Sequence, residues 1–142
     1  MKEEAKMKKT RKSSKKGFTL VELIVVLVIL AILAAMLVPA LTGYIKRARQ
    51  EKDYQFAATV LTAAQSAATY QYSLSTFNSA NKITKTTSAG RGETVSTLVG
   101  TNFTSCQFTV NSRAVITSGT VTCNGYTYVW NGTAWSPKSG QN

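Results

Sequence analysis

The sequence predicts an α+β fold in which one long N-terminal helix packs, by its C-terminal half, against a small antiparallel β-sheet. Three observations carry this. Residues 18–41 are apolar apart from Thr19 and Glu22. Further on, Ala57, Val60, Leu61, Ala64, Ala67 and Ala68 recur at spacings of three, one, three, three and one, the period of an amphipathic helix with a small-residue stripe. Beyond residue 104 the period drops to two, in short runs rich in Val, Ile, Tyr and Trp with glycine-bearing dipeptides between them.

The 24 apolar positions of 18–41 cover about 36 Å as a helix, enough to cross a bilayer core with some tilt. The pattern then continues the helix to about Tyr72, for a total near 80 Å. Only its second half carries a stripe that a domain could cover, so the first half is expected to be stable in lipid or against copies of itself. Arg47 with Glu51, and Arg49 with Asp53, stand four apart and read as exposed ion pairs, each contributing about 0.2–0.5 kcal/mol. Pro39 and Gly43 read as a helix break, since proline removes a backbone hydrogen bond and crowds the preceding turn.

Residues 75–102 are dominated by Thr, Ser, Asn and Gly, with a weak strand or loop signal around Thr94–Val99. The alternating runs follow: Cys106, Phe108 and Val110; Val115 and Ile116; Val121 and Cys123; Tyr126, Tyr128 and Trp130. Ser118-Gly119, Asn124-Gly125 and Asn131-Gly132 lie between or after them, and Asn-Gly is a strong hairpin-turn signal. This predicts a meander of four or five strands whose apolar face covers the alanine stripe. Tyr126, Tyr128, Trp130 and Trp135 form an aromatic cluster best read as core packing against the helix.

Composition narrows the chemistry. At 142 residues with a net charge of +11, the chain reads as one small domain on a hydrophobic stem. The charge first suggests an anionic partner. Its location weakens that, because eight Lys and Arg and two Glu before Phe18 hold +6 of it. The remainder lacks the interleaved Arg and aromatic residues that favour single-stranded nucleic acid, so a nucleic-acid partner gains no support. There is no histidine, Asp53 is the only aspartate, and Glu93 is the only acidic side chain after it. That set offers no carboxylate pair, no calcium cage and no base for a serine or cysteine nucleophile. Cys106 and Cys123 lack metal-site spacing. No enzymatic activity, cofactor or metal is expected.

The sharpest motif is Lys15-Lys16-Gly17-Phe18-Thr19-Leu20-Val21-Glu22, followed by no charged residue from Leu23 to Ile45. Roughly residues 9–45 resemble the class III signal of type IV prepilins and their pseudopilin relatives. An ordinary secretory signal with Val38-Pro39-Ala40 as its cleavage region, or a plain single-pass anchor, would be better served without Glu22. A charged residue at the centre of a membrane helix costs about 2.5–3.5 kcal/mol, less toward its end.

The resemblance implies a type IV pilin-like fold and four segments: a cleaved leader at 1–17, a transmembrane and assembly stem at 18–45, an amphipathic continuation at 46–74, and a head of loop and sheet at 75–142. It implies cleavage by a prepilin peptidase between Gly17 and Phe18, N-methylation of Phe18, and pairing of Glu22 with the terminal amine of a neighbouring subunit. Implied partners are further copies through the stem, the peptidase, and an assembly ATPase and platform protein. The more basic leader places the N-terminus in the cytoplasm and the rest outside. The precursor would then sit in the cytoplasmic membrane and the mature form in an extracellular filament serving adhesion, twitching motility or DNA uptake. A pseudopilin of a secretion or competence system is the alternative, although the former commonly uses a calcium site and the latter has little or no sheet. A membrane-tethered surface binding module is a third reading.

Many relatives also melt the stretch before a proline such as Pro39, often with a preceding glycine where this chain has Ala31. Cys106 and Cys123 are a candidate disulfide that would close a loop of about 18 residues, worth about 3 kcal/mol in the chain-entropy model. A strict two-residue-turn meander would set Cys106 level with Thr117 and Cys123 level with Ala114, on opposite faces. Either the strand order is not sequential, then, or both thiols are core residues. Asn102-Phe103-Thr104 and Asn131-Gly132-Thr133 fit the glycosylation pattern, a signal too short to carry weight.

Overall fold

A computed structural model describes residues 17–100 and 103–138, so the leader up to Lys16 and Asn102 of the first glycosylation pattern lie outside the described residues. The element order is α1 (Leu20–Ser73), β1 (Ile83–Thr84), β2 (Ser88–Gly90), β3 (Glu93–Thr94), α2 (Val95–Val99), β4 (Ser105–Val110), β5 (Ile116–Cys123), β6 (Tyr126–Trp130) and β7 (Trp135–Pro137). This is the expected α+β architecture of a long helix followed by a small antiparallel sheet. The chain divides into two compact units, Met1–Gly43 and Tyr44–Asn142.

The described part of the first unit is the apolar start of α1, and every residue from Gly17 to Lys52 is exposed. α1 is one helix from Leu20 to Ser73, with Pro39 and Gly43 inside it. Proline removes one ladder bond and crowds the carbonyl a turn earlier, which bends a helix without ending it, and the helical bonds on either side carry the element through. Within the same turn Thr42 Oγ1 donates to Val38 O at 2.8 Å.

In the second unit, α1 buries Asp53, Ala57, Val60, Ala63, Ala64, Ala67 and Ala68. Leu61 is half-buried and packs at the margin. Across from this stripe lie Phe108, Val121, Cys123 and Tyr128, all nearly or fully buried, in one apolar cluster. The helix supplies methyl groups to this cluster and the sheet supplies its bulk. Gln65 ties the β4–β5 connection to the helix: its Nε2 donates to Ala114 O at 2.7 Å, and its Oε1 accepts from Ile116 N at 3.0 Å.

The main sheet has five strands in the order β1-β4-β5-β6-β7, all neighbours antiparallel, with a separate β2-β3 pair. In β4, Cys106, Phe108 and Val110 are buried while Ser105, Gln107 and Thr109 are exposed, as period two requires. Asn124 and Gly125 form the two-residue β5–β6 turn with φ of 52° and 80°, the positive values a type I′ hairpin needs.

Two expectations are corrected here. Ser118-Gly119 is not a turn: it lies inside β5, where Gly119 pairs with Phe108 on one side and Trp130 on the other. The missing side chain has a packing reason, because a Cβ at Gly119 would lie 2.1 Å from Phe108 Cδ1. Thr94–Val99 is not a strand or loop throughout, since Val95–Val99 forms α2. Thr94 caps it by accepting from Thr97 N, while Thr97 Oγ1 accepts from Thr94 N at 2.7 Å, a reciprocal box that outweighs the β-propensity of the valines.

Candidate assembly site

Helix α1 begins in a capping box. Thr19 N donates to Glu22 Oε2 at 3.1 Å, and Glu22 N donates to Thr19 Oγ1 at 3.2 Å. Thr19 is thus the N-cap and Glu22 the third helical residue. An N-cap threonine stabilises a helix start by about 1 kcal/mol, and the acid sits where the helix dipole favours it. The Thr-Leu-Val-Glu spacing carries this capping-box signature in the sequence itself.

The box has a consequence for chemistry. It turns the Glu22 carboxylate back toward the N-terminal end, onto the N–H of the residue that follows Phe18. Phe18 itself is 83% exposed, and Gly17 before it is exposed too. A glycine with nothing within 4 Å of its Cβ position presents bare backbone, which suits a protease cleft. Gly17, Phe18 and Glu22 therefore occupy one exposed helix start, with the acid aimed at the candidate cut. Pro39 and Gly43 belong to the same helix further on, and the space around Gly43 is likewise open.

The stem that follows is apolar on all sides. Leu20–Ser73 contains a segment long and apolar enough to cross a membrane, and none of that segment is buried within the chain. Among the described residues, no group of His, Cys, Asp or Glu is arranged to hold a metal ion.

At the other end of the logic stands Asp53, whose expected exposed pairing with Arg49 is corrected. It is buried, and accepts hydrogen bonds from Tyr128 Oη at 2.5 Å and Asn124 Nδ2 at 2.9 Å. Tyr54 packs edge-on against the Tyr128 ring, with centroids 5.1 Å apart. Burial, then the hydrogen bond and charge of Asp53, push the Tyr128 hydroxyl well above the usual phenol range. The signal was in the sequence, since Asp53 precedes Ala57 by four and Val60 by seven and so lies on the buried stripe.

Cys106 and Cys123 are free thiols, both buried. Their expected register is also corrected. Cys106 stands opposite Val121, so Cys123, two residues on, shares its face at a diagonal position. Strand order is sequential and both thiols belong to the core, because a longer β4–β5 connection and a bulge at Thr109/Val110 replace the two-residue turn. Burial raises both thiols to about 11; nearby Lys85 partly offsets this at Cys106, and Asp53 adds to it at Cys123. Such thiols are poor nucleophiles at neutral pH.

Residues 12–38 match the prokaryotic N-terminal methylation motif, so the chain carries the class III signal characteristic of type IV pilin-like prepilins. No curated protein and no solved structure matches it.

Proposed function

We propose that this chain is the structural subunit of a type IV pilus. Residues 1–17 form a leader that a prepilin peptidase removes after Gly17, Phe18 is N-methylated, and the stem at 18–45 inserts in the membrane. Residues 46–74 continue the helix beneath the head at 75–142. The observation that carries the reading is the exposed apolar stem behind a methylation motif whose acid lies one turn from the cut. The new amine and the Glu22 carboxylate of the next copy satisfy each other, and the stems pack together on leaving lipid. Since lipid is as apolar as the stem, packing and the paired charge favour assembly, rather than the bulk hydrophobic effect. An assembly ATPase and a platform protein would drive the step, and the filament would lie outside the cell for adhesion, motility or DNA uptake. The role is mechanical, without catalysis.

A pseudopilin filament is the second reading. The five-stranded sheet supports the pilus over a competence pseudopilin, which by resemblance has little or no sheet. N-terminal sequencing and intact mass of protein from sheared surface fibres test the proposal. N-methyl-phenylalanine at residue 18 is expected; Leu41 as the first residue would assign the stem to ordinary signal peptidase and overturn it.

A further inference from the structure

Where the uncharged stem ends, Lys46, Arg47, Arg49 and Lys52 form a collar on α1, every one exposed. Lys46, Arg49 and Lys52 recur at three-residue intervals along one side, and Arg47 stands by Glu51 on the other. Glu51 is the only exposed acid among them, because Asp53 is buried against Tyr128 and Asn124. Tyr44, 71% exposed, lies two residues before the first base of the collar.

We infer that this collar binds the phosphates of anionic phospholipids in the membrane leaflet opposite the leader, an inference that rests on the membrane-inserted reading above. The uncharged run from Leu23 to Ile45 is 23 residues, about 35 Å of helix, against a hydrocarbon core of about 30 Å. With Glu22 near one headgroup layer, the collar reaches the other, and Tyr44 falls where aromatic side chains concentrate. The basic leader serves as the cationic flank on the cytoplasmic side until cleavage removes it. From then on the collar is the remaining cationic flank, and processing moves the electrostatic anchor from one leaflet to the other. The subunit is held at a fixed depth until assembly withdraws it. Two helical turns of charge beside one tyrosine match a layer of headgroups better than an extended nucleic acid, which needs a longer basic track with stacking side chains.

The test compares the full chain with a variant carrying Lys46→Gln, Arg47→Gln, Arg49→Gln and Lys52→Gln. Both are reconstituted in equimolar phosphatidylglycerol and phosphatidylcholine, and the lipids each retains are counted by native mass spectrometry. The leader is present in both, so the difference reads the collar. The preference for phosphatidylglycerol is expected to fall about tenfold or more in the variant, from the usual contribution of bases near an anionic surface. Near-ultraviolet circular dichroism from the buried aromatic residues verifies that the head is folded. An unchanged preference overturns the inference. So does displacement of the lipid by short duplex DNA at physiological salt, which assigns the collar to nucleic acid. Release of the full chain from vesicles by alkaline carbonate overturns the membrane reading as well, and so separates the two failures.

Discussion

The two halves of α1 are one element built by two different rules. Up to Ile45 the helix is apolar on every side and wholly exposed; from Asp53 it is apolar along a single stripe, and that stripe is buried. The second half finds its partner within the chain, in Phe108, Val121 and Tyr128. The first half finds none among the described residues, and it carries a carboxylate, Glu22, at the helix start. A helix apolar all round is a span or a core element, whereas a striped one belongs to a surface. The difference separates the part of the helix that packs within the chain from the part that, in the proposed function, packs against other copies.

If this division is right, a change in one half leaves the other untouched. Glu22→Ala should have the largest effect: surface fibres disappear, as seen by electron microscopy of sheared preparations. The head should keep its near-ultraviolet circular dichroism, because Glu22 lies outside the buried core. The substitution leaves Thr19 as the N-cap and removes only the bond from Thr19 N to the carboxylate, worth about 0.5–1.5 kcal/mol, too little to unfold the head. Fibres that persist at normal yield would remove the assembly role and leave Glu22 as a cap alone.

Asp53→Ala should do the reverse. It strands the buried Tyr128 hydroxyl, at a cost of about 1–3 kcal/mol, read as a lower urea midpoint for the head. Arg49→Ala, which removes the expected partner, should stay within about 0.5 kcal/mol of wild type. Equal losses in the two variants would restore the surface ion pair. High pH approaches the same site from the other partner. Tyr128, Cys106 and Cys123 all have raised folded-state values, so the unfolded chain loses its protons first as pH rises. Their contribution is complete below the ordinary thiol value of 9.0 and is expected to decline as pH rises toward 11, where the folded thiols titrate. A urea midpoint series between those values measures it, and a flat profile would count against buried neutral thiols.

Much of this was legible in the sequence because period and length are strong signals. The helix was expected from Phe18 to about Tyr72 and runs from Leu20 to Ser73, and the alternating run at Cys106, Phe108 and Val110 is a strand with those side chains inward. What escaped was set by neighbours distant in sequence. Gly119 looks like a turn until Phe108 is seen to need its space, and the cysteine register depends on a bulge that no local pattern announces. Asp53 was misplaced for another reason: a carboxylate was assumed to seek a cation, when its helical spacing already put it on the buried face. At the candidate site the Thr19–Glu22 spacing is readable as a capping box, whereas a partner in another copy leaves no mark in one chain's local pattern.

Gly43 gives the smallest effect and the finest test of where one rule yields to the other. It lies inside an unbroken helix with open space around its Cβ position, so nothing in the subunit requires glycine there. Gly43→Ala should therefore stabilise the helix of detergent-solubilised subunits, by at most about 1 kcal/mol, read as a higher melting temperature in far-ultraviolet circular dichroism. Among packed stems, a residue without a side chain allows backbones to approach closely, and a methyl group there holds them apart. Fibre yield should accordingly fall while the subunit becomes more stable, a pairing of opposite signs that a purely intramolecular role for Gly43 would not produce.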